Sequence, residues 1–295
     1  MKNTAASLTS EERFMGLFDG KKGLILGVAN KDSIAIAIAK AVMDQGGECG
    51  FTHLPDRPDD DRKKNRRRVE KAIDGHPNAK FLIPLNVQSD ENIAEVMTHA
   101  KEELGSIDFV LHSIAFADRE DLKKDTIETS REGFNMAMDI SAYSLLAVCR
   151  EARGIMNDGG SILAMTYFGS EKIVPGYNVM GICKAALEAA VRYAAHDLGP
   201  RGIRVNALSS GPLKTLAASA AGAKEMLKFY GHISPLGRNI DHEEVGQVGA
   251  FLMSDMSKAI TAETMHVDAG YNAMGSPGRF LEIPDVQAIL MKDNR

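Results

Sequence analysis

Residues 23–45 read GLILGVANKDSIAIAIAKAVMDQ, and this stretch sets the architecture. A short apolar run ends at Gly27, a polar turn follows, and from Ser33 a helix-period segment runs to Gln45. The run is nearly continuous in apolar residues, which fits a strand buried on both faces of a parallel sheet. A strand that feeds a glycine turn into a helix N-terminus presents backbone N–H groups and the positive end of the helix dipole, a setting for a pyrophosphate. The turn is not G-x-G-x-x-G: only Gly27 stands, with Ala35 and Ala37 as the small residues near the helix start. As a local pattern it fits an ordinary strand–helix turn equally well. Its place at the head of a long alternating chain is what points to a dinucleotide.

Outward from this unit the pattern repeats. Short apolar runs at 49–53, 80–85, 109–112, 161–166, 204–208 and 264–267 alternate with longer amphipathic stretches. In 90–104 the apolar positions Ile93, Val96, Met97, Ala100 and Leu104 fall three and four apart, with Asp90 to cap the helix and Gly105 to end it in a left-handed turn. A helix over 178–198 carries Met180, Cys183, Leu187, Val191, Ala194 and Leu198 on one stripe, and Gly199-Pro200 stops it. Strict alternation of strand and helix predicts an α/β fold: a single-domain, doubly wound parallel sheet of Rossmann-like type, flanked by helices on both faces. The domain spans residues 17–272, after an N-terminal extension over 1–16 and before a tail over 273–295.

With 295 residues, 44% hydrophobic, 25% charged and a net charge of −5, the chain has the make-up of an ordinary globular protein. A chain of this length buries roughly three quarters of its unfolded surface, so its core needs no disulfide or structural metal. Its apolar runs fall far short of the ~20 residues of a membrane span. The opening MKNTAASLTSEERF lacks the apolar stretch of a signal peptide. Cys49, Cys149 and Cys183 are odd in number and widely spaced, and read as reduced thiols in a cytoplasm. Mild acidity argues against a dedicated nucleic-acid binder. The histidines form no H-x-x-x-H pair, and no metal site is expected.

Further strand ends converge on one edge. Asn86-Val87 follows the third strand and is placed to flank an adenine; His112-Ser113-Ile114-Ala115 follows the fourth and borders a ribose and nicotinamide. Tyr177 and Lys184 lie seven residues apart at the start of an amphipathic helix. Seven steps of ~100° come within about 20° of two turns, so the two side chains share a face. An ammonium beside a phenol favours the phenolate, lowering the tyrosine pKa, and can also hydrogen-bond ribose hydroxyls. Alone, such a pair is more often core edge and surface than a site. Here the run 161–167 ends in Thr166 and Tyr167, so two tyrosines bracket one loop at the carboxyl edge of the sheet.

The segments GVANKDSI (27–34), HSIAFA (112–117), YFGSEKIVPGYNVMGICK (167–184), RVNALSSGPLKTLAA (204–218) and HVDAG (266–270) resemble the bacterial enoyl-acyl carrier protein reductases. These belong to the short-chain dehydrogenase/reductase superfamily. The resemblance runs in unbroken order from about Gly16 to Asn272, and its specific element is the spacing of Tyr167, Tyr177 and Lys184. Most of the superfamily keeps Tyr-x3-Lys; position 181 here is glycine, which disfavours a carbonyl reductase. The resemblance implies that Tyr177 hydrogen-bonds the thioester carbonyl, Lys184 holds the nicotinamide ribose, and Tyr167 lines the substrate pocket. It implies cofactor contacts at Gly27, Ser33, Ile34, Asn86, Val87 and Ile114, and at Leu213, Lys214, Thr215, Leu216 and Ala217 over the nicotinamide and pyrophosphate. Ala117 and Met180 would touch substrate, and a lid would span about 209–230. It also implies a homotetramer, and an acyl carrier protein delivering substrate near Lys224, Lys228 or Arg238.

The spacing suits conjugate reduction. Hydride goes to the β-carbon while negative charge appears on the carbonyl oxygen, and three extra residues add roughly 4.5 Å of helical rise between tyrosine and lysine. At the adenosine end, Leu54 occupies the position that reads the ribose and cannot hydrogen-bond. Asp56 favours a free 2′-hydroxyl and Arg57 a 2′-phosphate; NADH is the expected cofactor, with NADPH possible. The acids-then-bases run 59–68 suits a helix N-terminus with a solvated face. From a different class, a catalytically silent dinucleotide-binding sensor is opposed by the joint presence of Tyr167, Tyr177 and Lys184.

Overall fold

The computed structural model describes residues 16–213 and 223–287. Seven strands, β1 (Lys22–Leu26), β2 (Glu48–His53), β3 (Ala79–Pro84), β4 (Ile107–His112), β5 (Met156–Thr166), β6 (Arg204–Ser210) and β7 (Thr264–Val267), form one parallel sheet in the order β3-β2-β1-β4-β5-β6-β7. Successive strand residues face opposite layers. Leu24 and Leu26 join Val110, Ile162 and Val205 under α3 (Asp90–Leu104) and the later helices α6 and α7 described below. Ile25 joins Phe51, Phe109 and Leu163 under α1 (Ile34–Met43) and α2 (Lys64–Ile73), together with the C-terminal α9 (His242–Met253). The doubly wound expectation is met, and strand order reverses between β1 and β4, where such sheets open a ligand crevice. The continuous burial expected of most strands holds for β1, β4 and β6, while the edge strands β3 and β7 are only half-covered.

Two helix boundaries differ from the sequence reading. Ser89, not Asp90, caps α3: its side chain accepts the Asn92 N–H at 3.1 Å from an extended backbone, leaving Asp90 and Glu91 in the first turn. Gly105 does take a positive φ of 78°, but with ψ −130° it is not the left-handed helical turn expected. The acids near α2 act from outside its first turn. Asp56 accepts the N–H groups of Asn65 at 2.6 Å and Arg66 at 3.4 Å, and Asp60 accepts those of Arg62 and Lys64.

After β4 come α4 (Arg119–Lys123) and α5 (Arg131–Met138), which passes through a wide turn at Asp139–Tyr143 into α6 (Ser144–Ala152). The long α7 (Val179–Leu198) follows β5, and all six residues of its predicted stripe are buried. Between β6 and α9 lies α8 (Ala223–Ile233). The described part of the tail leans on it: Phe280 packs on Phe229 with ring centres 5.3 Å apart, and Arg279 Nη1 donates to the Pro235 carbonyl at 3.1 Å.

Candidate active site

At the first strand–helix turn, Gly27 has φ 94°, and a β-carbon there would collide with the Ser113 carbonyl at the end of β4. Glycine is therefore required twice, by backbone conformation and by close approach. Ser33 does not cap α1; its Oγ accepts the N–H groups of Ala29 and Asn30, each at 3.0 Å, and shapes the turn instead. Ile114 sits beside Gly27, and Ile34 packs into the layer below α1. Asn86 and Val87 follow β3 at the same edge, with the Asn86 N–H bound to Asn92 Oδ1 at 2.7 Å and Val87 buried. Leu54 is exposed just after β2. Asp56, two residues on, accepts the N–H groups of Asn65 and Arg66 at the N-terminus of α2.

At the second turn, from β5 into α7, the rings of Tyr167 and Tyr177 meet edge to face with centres 4.8 Å apart. Gly169 and Gly181 make this possible. A β-carbon on Gly181 would lie 2.6 Å from the Gly169 carbonyl, and one on Gly169 would lie 2.5 Å from the Tyr177 ring. No side chain fits at 181, so the lysine of the ordinary ketone-reductase spacing is sterically excluded. Asn178 enters α7 with φ 42°, a strained value for a non-glycine residue, and its amide donates to the carbonyls of Leu122 at 3.0 Å and Lys124 at 2.6 Å. On its outer side Tyr177 borders a cavity of about 420 Å³ lined also by Gly169, Val174, Pro175 and Ile182.

Lys184 is buried and its Nζ donates to the Met165 carbonyl at 2.7 Å. Burial brings its ammonium down to about 8, opposed by Cys183 and Glu188. One turn along, buried Glu188 accepts the Thr166 hydroxyl at 2.5 Å, so successive β5 residues are tied to successive turns of α7. His112, at the end of β4, is held down to about 3 by burial and then by Lys184; its Nε2 pairs with Ser144 Oγ at 2.8 Å. The expectation that Lys184 lowers the Tyr177 pKa is overturned. Burial, then Tyr167, Cys183 and Glu188, push that phenol well above the ordinary range, so it is a proton-bearing donor at neutral pH.

Ala117 packs against the small cluster of Ala137, Val179 and Cys183, while the sulfur of buried Met180 lies 3.9 Å from Ser141 Oγ. Leu213 is buried where the chain leaves β6, and Lys214, Thr215, Leu216 and Ala217 lie outside the described residues. So does the middle of the lid, 214–222, with the side chains of Lys224 and Lys228. Arg238 is half-exposed and pairs with both Glu244 oxygens at 2.6 and 3.0 Å. Sequence reasoning missed Ser141, whose Oγ accepts the Phe116 N–H and donates to the Phe116 carbonyl, and Glu188 and Tyr230. A glutamate one turn after Lys184 was a readable signal; the other two contacts join segments far apart in sequence.

The family model described as enoyl-(acyl carrier protein) reductase matches residues 27–272. The chain is 47% identical over 262 residues to the enoyl-[acyl-carrier-protein] reductase [NADH] of Rickettsia felis, covering 88% of this chain and 98% of that one. It is 46% identical over 259 residues to the corresponding [NADPH] enzyme of Staphylococcus aureus, covering 87% and 98%. The crystal structure of the Anaplasma phagocytophilum reductase in complex with NAD superposes with a TM-score of 0.82 at 43% identity, covering 88% of this chain and 97% of that one.

Proposed function

Because the chain belongs to the enoyl-(acyl carrier protein) reductase family, we propose that Tyr167, Tyr177 and Lys184 carry its chemistry at the carboxyl edge of the sheet. The enzyme is an NADH-dependent enoyl-[acyl-carrier-protein] reductase, reducing the trans-2 double bond of enoyl thioesters in the last step of the fatty-acid elongation cycle. The observation that supports the site best is the pair of tyrosine rings 4.8 Å apart, seated on Gly169 and Gly181, with Lys184 on the helix that follows Tyr177.

The described residues fit a dinucleotide. Gly27 lets the turn lie against Ser113 at the end of β4, and among the described residues the Lys184 ammonium donates only to Met165, leaving two N–H donors for ribose hydroxyls. Gly27, Ser33, Ile34, Leu54, Asn86, Val87 and Ile114 line the cofactor edge in this reading, with Leu213 to Ala217 above it. When bound, NADH supplies the hydride that reaches the β-carbon of the substrate. Tyr177, kept protonated by burial, donates to the thioester oxygen as negative charge gathers there. Tyr167, Met180 and Ala117 bound the acyl site, and Lys184 orients the ribose.

The reductase unit spans 17–272 in this reading, with a lid at about 209–230. The enzyme works as a cytoplasmic homotetramer receiving substrate from acyl carrier protein. Exposed Phe134, Leu146, Ile182 and Tyr193 on α5, α6 and α7 support assembly, and the unpaired Cys49, Cys149 and Cys183 suit a reducing compartment. Among the described residues no helix is long and apolar enough to cross a membrane.

The test mixes the enzyme with a crotonyl thioester and NADH or NADPH and follows nicotinamide absorbance. Faster oxidation of NADH is expected; no oxidation of either would sink the reading. Light scattering checks the tetramer.

A further inference from the structure

The reductase reading gives Tyr230 no more than a place at the end of the lid, although its hydroxyl reaches Tyr167. It lies near the end of α8, buried at 5% exposure while its neighbour Phe229 is 39% exposed. Its hydroxyl stands 2.9 Å from that of Tyr167. Its ring stacks on Tyr271 with centres 3.7 Å apart and planes 17° apart, and Tyr271 meets Phe168, the residue after Tyr167, edge to face at 5.9 Å. The end of α8 is itself tied down. Asn239 Nδ2 donates to the Leu227 carbonyl at 2.8 Å, Ser234 Oγ donates to the Arg238 carbonyl at 2.8 Å, and Phe280 backs Phe229.

We propose that Tyr230 is a positioning residue for enoyl reduction, which holds the Tyr167 phenol by a hydroxyl–hydroxyl contact and so fixes the wall of the acyl site beside Tyr177. A tyrosine hydroxyl lies on the axis of its ring, so rotation of the ring does not displace it; only a swing about χ1 does. Tyr177 restrains the Tyr167 ring at one edge, and Tyr230 anchors the distal oxygen, so the two together oppose that swing. Tyr230 acts through Tyr167 and the proposal rests on Tyr167 belonging to the substrate site.

Tyr230→Phe keeps the ring and its stack on Tyr271 and removes only the oxygen. A buried hydrogen bond of this kind corresponds to about fivefold in an equilibrium. The expected result is a fall of about fivefold in kcat/KM for a crotonyl thioester, with the KM for NADH unchanged. In a Tyr167→Phe background the same substitution should add nothing. Wild-type kcat/KM in Tyr230→Phe overturns the proposal, as does an equal effect with and without the Tyr167 hydroxyl, or a loss shared by NADH KM and thermal midpoint. An impaired Tyr167→Phe beside an intact Tyr230→Phe removes this proposal alone. A fully active Tyr167→Phe removes the substrate-site assignment of Tyr167 and the proposal with it.

Discussion

The turn from β1 into α1 and the turn from β5 into α7 both leave the carboxyl edge of the sheet, yet they are built from different materials. The first is shaped by backbone: a glycine at φ 94° pressed on the Ser113 carbonyl, and Ser33 collecting two N–H groups of its own loop. The second is shaped by side chains: two tyrosine rings, a buried ammonium on a β5 carbonyl, a glutamate on Thr166, and a strained Asn178 held by two carbonyls. A backbone cradle suits a group whose charge is the same before and after reaction. Positioned protons and donors suit an oxygen whose charge appears only during it.

The comparison can be broken most sharply at Tyr177. Tyr177→Phe should lower kcat by about 10²–10³-fold with little change in the KM for NADH; equal losses in both would mean that the second turn also holds the cofactor. Gly27→Ala adds a β-carbon at positive φ against Ser113 and should raise the KM for NADH roughly tenfold, leaving the thioester KM near wild type.

Lys184 sharpens the contrast through pH. Its folded-state pKa of about 8 lies below the free value of 10.5, so between these values the unfolded chain holds more protons. Stability contributed by this group therefore rises as pH climbs from about 8 to 10.5 and is lowest below 8. Thermal midpoints of Lys184→Met should lack that rise, whereas Gly27→Ala should keep it. The smallest effect is expected at Asp56: Asp56→Ala should cost about 1 kcal/mol of stability in urea titration. Its ratio of NADH to NADPH rates should not move, because the carboxylate serves α2.

Which parts were legible in the sequence follows the same division. The alternation of apolar runs and helix-period stretches located every strand, and for the inner strands burial on both faces leaves a continuous local signature. The expectation that Tyr177 and Lys184 share a helix face is not met, because Tyr177 lies before α7 and Asn178, at φ 42°, breaks the helical path between them. The cap at Ser89 was misread by one residue, since Ser89 and Asp90 are both good caps and only the backbone angles choose between them. Phenol activation by Lys184 was misread for a deeper reason. Attraction between charges is visible in a residue list, but desolvation depends on everything packed around the group.

The residues alone thus determined the sheet and its winding, because both rest on local periodicity, whereas Tyr167, Tyr177 and Lys184 were singled out by the family resemblance and not by spacing alone. Only the tertiary structure decided that Gly181 is held by the Gly169 carbonyl, that Asp56 belongs to α2, and that the Tyr230 hydroxyl reaches Tyr167. Those facts depend on which surfaces meet when distant segments pack, and close contact across 63 residues of chain leaves no period to read.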